Sequence, residues 1–162
     1  MSNGRTGEQV DPDPGFQTAG AVPARRLAVV ACMDARFDPS RVLGLEVGEA
    51  HVVRNAGGIV TDDVVRSLCL SQRLLGTKEV VLLHHTLCGL EGLDEDAFLA
   101  DVENDAGATP AWTVGSFAEP TGSVRESIRR LRECPFLPHR DRIMGYVYSV
   151  ETGTLEEVGA GT

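Results

Sequence analysis

Two short stretches of the 162-residue chain carry residue types at spacings that chemistry can use. In Ala31-Cys32-Met33-Asp34-Ala35-Arg36 a thiol, a carboxylate and a guanidinium are packed together, and in His84-His85-Thr86-Leu87-Cys88-Gly89 an imidazole and a second thiol are separated by two residues. Two thiolates and an imidazole are a zinc ligand set, and a nearby carboxylate can complete it or stand aside for water. Cys32, His85 and Cys88 are therefore the candidate metal ligands for one zinc per chain, with Asp34 a fourth ligand in a closed form only. Arg36 can prevent closure, because its planar fork matches a carboxylate in a bidentate pair. Asp34 therefore reads as a gate: paired with Arg36 it leaves a water site open, where it could orient a metal-bound hydroxide toward an electrophile, and on the metal it closes that site. Two thiolates and a neutral imidazole cancel the charge of zinc, so water bound there is acidified less than at a three-histidine site, and activity is expected to rise at alkaline pH.

These motifs meet only if the fold brings them together. Leu27 to Ala31 is an apolar run of strand length, and Lys78 to Leu83 reads as a strand around the apolar run Val80 to Leu83; both end where the two motifs begin. Side by side and parallel, they would converge Cys32, His85 and Cys88 at the carboxyl edge of a sheet, where open α/β sheets place their ligands. A short helix from Pro39 to near Gly44, a strand over Ala50 to Arg54 and a tight Asn55-Ala56-Gly57-Gly58 turn lie between. The paired glycines permit positive φ or close approach of backbone to a ligand. Thr61 caps a helix whose apolar positions are Val64, Val65, Leu68, Cys69, Leu74 and Leu75, stopped by Gly76. An acidic, irregular stretch after Gly89 predicts a short helix and a long loop. Ser123 reads as the cap of a helix over Val124 to Arg132, Ile143 to Val150 as a strand, and Leu155 to Val158 as an edge strand after a hairpin turn. The fold class is α/β, a mostly parallel central sheet flanked by helices with an antiparallel C-terminal edge strand.

Composition narrows the partners. A net charge of -9 argues against nucleic acid and anionic membranes, and no apolar run reaches the ~18 residues of a membrane span. Arg125, Arg129, Arg130 and Arg132 read as a solvated helix face. Residues 1–24 read as an arm, either disordered or laid on a partner subunit, and residues 25–162 as a single zinc-binding domain. The N-terminus lacks the pattern of a secretory signal, which points to a cytoplasmic protein. Four cysteines in such a setting favour metal, catalytic or buried roles over disulfides. Cys69 and Cys134 read as structural, His84 as a histidine packed under the site or, alternatively, a proton shuttle, and His51 and His139 as surface or structural. Arg54 and Asn55 read as holding the loop between the motifs through backbone contacts, and Asp62 and Asp63 as helix-start residues.

Cys32-x-Asp34-x-Arg36 with His85-x-x-Cys88, and with Arg54-Asn55-Ala56-Gly57-Gly58 between, resembles the β-class carbonic anhydrases. The likeness spans about Leu27 to Leu90 and is strongest to the short bacterial branch, which also includes carbonyl sulfide hydrolases. It implies zinc on Cys32, His85 and Cys88, an Asp34–Arg36 dyad, and reversible hydration of carbon dioxide to bicarbonate by zinc-bound hydroxide. It also implies a homodimer or dimer of dimers in which N-terminal segments embrace the partner, a role for the arm. The alternative is a carbonyl sulfide or carbon disulfide hydrolase on the same site, and a second alternative is a non-catalytic module with a closed structural zinc. The chain departs from its branch at Leu87, where an acidic residue is expected. An apolar residue there would suit a sulfide substrate or serve packing.

Overall fold

The computed structural model describes residues 19–159. Its centre is a five-stranded sheet in the order β2-β1-β3-β4-β5. The strands are β1 (Leu27–Cys32), β2 (Ala50–Asn55), β3 (Glu79–His85), β4 (Ile143–Tyr148) and β5 (Leu155–Val158). The first four run parallel and β5 pairs antiparallel with β4, the α/β architecture with an antiparallel edge that the pattern of elements implies. Burial explains the composition of the central strands. Every residue of β1 and all but the first of β3 are buried, as strands covered on both faces require.

The helices are α1 (Pro39–Leu43), α2 (Asp62–Leu75), α3 (Glu95–Ala106) and α4 (Pro120–Glu133). Alternate residues of the strands face opposite layers. Ala28, Val30, Val80 and Leu82 pack on Val64 and Leu68 of α2 and on Val124, Ile128 and Leu131 of α4. Leu27, Val29, Ala31, Val81 and Leu83 face the other way, against Phe37 and Leu45. No residue of α3 is buried, so the acidic segment sits outside both layers. It forms a full twelve-residue helix, longer than its irregular composition suggests, capped by the Asp94 side chain on the Ala97 N–H at 3.0 Å.

Three other expectations change. Ser123 is not the cap of α4: the helix starts a turn earlier at Pro120, and the Glu119 side chain accepts the Thr121 N–H at 3.1 Å. Proline supplies the helical φ at the first position and has no N–H to satisfy. β4 ends at Tyr148, two residues short of Val150, because the chain already turns at Ser149, whose oxygen accepts the Gly153 N–H. Leu74 of α2 is exposed, whereas Ser71 and Gln72 are buried. Polar residues are tolerated there because they are satisfied: Gln72 both donates to and accepts from the backbone of His139, and Ser71 lies between His51 and Thr77.

The arm expected over residues 1–24 lies, as far as residue 18, outside the described residues. From Ala21 to Arg25 the chain runs against its own β2 side, with the Ala24 and Arg25 N–H groups on the carbonyls of Gly48 and Glu49 and the Ala21 carbonyl on His51.

Candidate metal centre

Register places the two motifs together. Ala31 is opposite Leu83, and Cys32 is opposite Asn55, so β1 releases the first loop beside the end of β3. Arg54, on β2, holds that loop: Nε donates to the Cys32 carbonyl at 2.9 Å and Nη2 to the carbonyls of Asp34 at 2.7 Å and Phe37 at 3.3 Å. Its guanidinium also lies over the Phe37 ring, 5.5 Å from the centroid. Asn55 adds the neighbouring turn, with Nδ2 on the Ile59 carbonyl at 2.9 Å and its own carbonyl accepting the Met33 N–H at 2.8 Å.

The turn after β2 completes the packing. Gly57 and Gly58 both have positive φ, and the close approach that Gly58 allows is to protein backbone: a β-carbon there would lie 2.7 Å from the Cys32 nitrogen.

Cys32, His85 and Cys88 are all buried, and their ligand atoms lie within 4.8 Å of one another. The two sulfurs are 3.9 Å apart, close to the roughly 3.8 Å that two thiolates span on one tetrahedral zinc with bonds of about 2.3 Å. His85 is oriented for the same purpose. Its Nδ1 lies 2.9 Å from the Thr86 carbonyl, which can only accept, so the proton sits on Nδ1. Nε2 is left buried, with a free lone pair and no hydrogen-bond partner among the described residues. A metal ion held between these three donors would satisfy that orphaned acceptor. The thiols point the same way. Burial opposes ionisation of Cys32, yet the contact with His85 and the N–H groups of Asp34 and Gly57 hold its pKa below the ordinary thiol value. Burial, together with the nearby Cys32, pushes Cys88 upward. Two adjacent thiols that resist joint ionisation are made thiolates by a divalent cation.

Asp34 stands beside this group with Oδ2 3.7 Å from His85 Nε2, and Arg36 grips it. Arg36 Nε donates to Oδ1 at 2.9 Å, Nη2 to Oδ2 at 2.7 Å, and the Arg36 backbone N–H to Oδ1 at 2.8 Å. Those bonds to the guanidinium keep the Asp34 carboxyl well below the usual carboxylate range.

A cleft of about 530 Å³ opens beside Cys32, Asp34 and Cys88, with mainly apolar walls that include Met33, Ile59, Leu90, Phe98 and Trp112. The loops after β3 supply much of it, through Leu90 and Leu93 and, beyond α3, Trp112 and Val114. Leu87 does not line it; its side chain is exposed, so it is not the apolar mouth that its residue type suggested.

Residues outside the group have structural roles. His84 is fully buried and donates from Nε2 to the Gly58 carbonyl at 3.2 Å, with its ring 5.7 Å from that of Phe117. Burial lowers its pKa to about 4. Such a histidine is neutral and closed to solvent, a poor proton shuttle. Cys69 and Cys134 are half-buried at the edge of the core. Asp62 and Asp63 form the first turn of α2, and Asp62 pairs with Arg130. Among the described residues, no helix is long and apolar enough to cross a membrane.

Residues 27–113 match the family described as carbonic anhydrase. The chain is 48% identical over 136 residues to β-carbonic anhydrase 1 of Mycobacterium tuberculosis, an alignment covering 84% of this chain and 83% of that one. It is 35% identical over 151 residues to a carbon disulfide hydrolase of Acidithiobacillus thiooxidans, covering 81% and 76%. Among solved structures, the carbonic anhydrase of Streptococcus mutans superposes with a TM-score of 0.80 at 41% identity, covering 86% of this chain and 84% of that one.

Proposed function

Because the chain belongs to the β-carbonic anhydrase family, we propose that it is a zinc enzyme that reversibly hydrates carbon dioxide to bicarbonate, with Cys32, His85 and Cys88 as metal ligands and Asp34 and Arg36 as the catalytic dyad. The observation that carries this reading is the juxtaposition of three buried donor atoms, one of them an orphaned imidazole nitrogen, with an arginine-held carboxylate and an apolar cleft. A zinc ion held there supplies the Lewis acidity that makes water a nucleophile at moderate pH.

The protein's own groups do the rest. Thr86 fixes the His85 tautomer through its carbonyl, so Nε2 faces the two sulfurs. Arg36 holds both carboxylate oxygens of Asp34 and thereby keeps this side chain from becoming a fourth ligand. An Asp34 kept ionised by that pairing is a weak base, so its task is to accept a hydrogen bond from the attacking water and set its orientation. The apolar walls suit a small linear molecule without charge. They offer nothing to a hydrated anion, which favours departure of bicarbonate over its retention.

The same walls favour a second reading, hydrolysis of carbonyl sulfide or carbon disulfide, which the likeness to a carbon disulfide hydrolase supports. Zinc-loaded protein assayed in parallel for carbon dioxide hydration and for sulfide release, from neutral to alkaline pH, separates them. Strong hydration with little sulfide is the expected result, and the reverse would assign the hydrolase. Silence in both with zinc bound would leave a closed structural site. The assembly that goes with the proposal is a homodimer or dimer of dimers in which residues 1–24 embrace the partner of a 25–162 domain, and sedimentation of the full chain against one lacking those residues tests it.

A further inference from the structure

The least comfortable residue near the metal group is Leu87, a leucine with φ of +55°. A left-handed backbone is unfavourable for a residue with a β-carbon, and for a bulky side chain it is an outlier that points to a constraint. The side chain gains nothing from the arrangement, being 56% exposed and outside the cleft. What the conformation does provide is a direction for the peptide carbonyl. The Leu87 oxygen accepts from Arg36 Nη2 at 2.6 Å, and the same nitrogen donates to Asp34 Oδ2 at 2.7 Å. A guanidinium Nη carries two hydrogens, so both bonds are made at once. The fork of Arg36 is thus held from two sides, by the carboxylate of the first motif and by a backbone carbonyl of the second.

We infer that Leu87 is a positioning residue for Asp34: its left-handed backbone aims the carbonyl that locks the rotamer of Arg36, and through Arg36 it holds the carboxylate away from the metal ligands. The inference rests on the zinc-site reading above. It assigns the work done at this position to the peptide of Leu87 and not to its side chain. With the carbonyl turned away, Arg36, whose side chain is about half exposed, keeps only Asp34 as a partner and exchanges it with water. Asp34 Oδ2, 3.7 Å from His85 Nε2, is then free to swing toward the three candidate ligands.

Backbone and side-chain roles predict opposite rankings. Leu87→Gly and Leu87→Asn keep the left-handed turn and discard the leucine side chain, whereas Leu87→Val keeps an apolar side chain and resists positive φ. The readout is hydrogen exchange at Arg36 Nε–H, followed by NMR in zinc-loaded protein, with zinc content and carbon dioxide hydration measured on the same samples. Exchange in Leu87→Gly and Leu87→Asn is expected to stay within about threefold of the parent. Leu87→Val is expected to speed it at least about tenfold and to lower turnover with zinc retained, the scale set by a hydrogen bond to a charged group. Fast exchange in Leu87→Gly, or slow exchange in folded Leu87→Val, overturns the inference. If Leu87→Val does not fold, Leu87→Gly decides alone, since acceleration there means that the side chain held Arg36. Protected Arg36 in a parent protein without hydration activity would remove the anhydrase reading and leave the role of Leu87 standing.

Discussion

Gly58→Ala tests how tightly the turn after β2 is built into the metal group. Gly58 has φ of +67°, and an added β-carbon would sit 2.7 Å from the Cys32 nitrogen, 2.9 Å from the Ala31 carbonyl carbon and 3.3 Å from the Cys32 α-carbon. All three are backbone atoms of the central strand, so no flexible side chain can yield. The left-handed conformation costs alanine about 1–2 kcal/mol, and forcing packed backbone apart adds about 1–3 kcal/mol. The sum, roughly 2–5 kcal/mol, is a large share of a stability of about 5–15 kcal/mol. The same push displaces Cys32 from Cys88 and His85 and strains the bond from His84 to the Gly58 carbonyl. Urea unfolding with excess zinc should therefore show a loss near 3 kcal/mol within that range, and competition with a chelator should show zinc held about ten- to a hundredfold more weakly. Gly57→Ala is the control. It carries a similar penalty at φ of +76°, but its β-carbon first meets the end of the Leu90 side chain, at 2.6 Å, so zinc affinity should fall less. A loss under about 0.5 kcal/mol for Gly58→Ala, the range of an ordinary surface change, or equal zinc affinities in the two variants, would refute the reasoning.

Cys32→Ala should abolish zinc binding and activity together, because two remaining donors cannot hold the ion in a closed tetrahedral shell; full activity without Cys32 would end the mechanism. Arg36→Ala should keep one zinc per chain and lose turnover by about two to four powers of ten, the scale of a lost positioning or acid–base group. Unchanged turnover in a cobalt-substituted sample that still responds to added anions would dismiss the dyad. His84 carries a pH signature: its folded pKa is lowered to about 4 by burial, against about 6.5 in an unfolded chain. Between those values the unfolded state binds the extra proton, so stability rises with pH through the window and the full penalty applies below it. At about 1.36 kcal/mol per unit, roughly 2 kcal/mol is lost between pH 7.5 and 5. Unfolding of the parent and of His84→Gln across that range, at saturating zinc, should differ by this slope, and parallel curves would show that His84 does not titrate on unfolding.

The convergence of the two motifs was legible in the sequence because β1 and the Val80–Leu83 stretch of β3 are apolar, the mark of central parallel strands, and each strand ends in a residue with ligand chemistry. The support given by Arg54 was legible in kind, since an arginine beside the turn has several donors to offer backbone, but its three carbonyl partners depend on the path of the first loop. Helix ends were harder to read. At α4 a Ser before an apolar run is a good cap by type, yet Glu119-Pro120 started the helix earlier with a cap of lower propensity. The exposed Leu74 and the buried Gln72 reverse the apolar pattern in the last turn of α2, because both ends of the Gln72 amide meet one peptide far along the chain, at His139.

Leu87 is the case where residue type left the role open. A leucine beside a candidate metal-binding cysteine invites a reading in terms of apolar contact with substrate or of packing, but no local rule marks a leucine for positive φ, which glycine and asparagine adopt at lower cost. Only the placed backbone shows that the side chain is exposed outside the cleft and that the carbonyl is the group with a partner. Arg36 and Arg54 then take complementary parts. Arg54 binds carbonyls of the first loop alone and fixes its shape, whereas Arg36 reaches from that loop to the second and ties the carboxylate to the segment that presents Cys88. The geometry that keeps Asp34 available depends on both motif loops at once, so a change that leaves every ligand in place can still alter it.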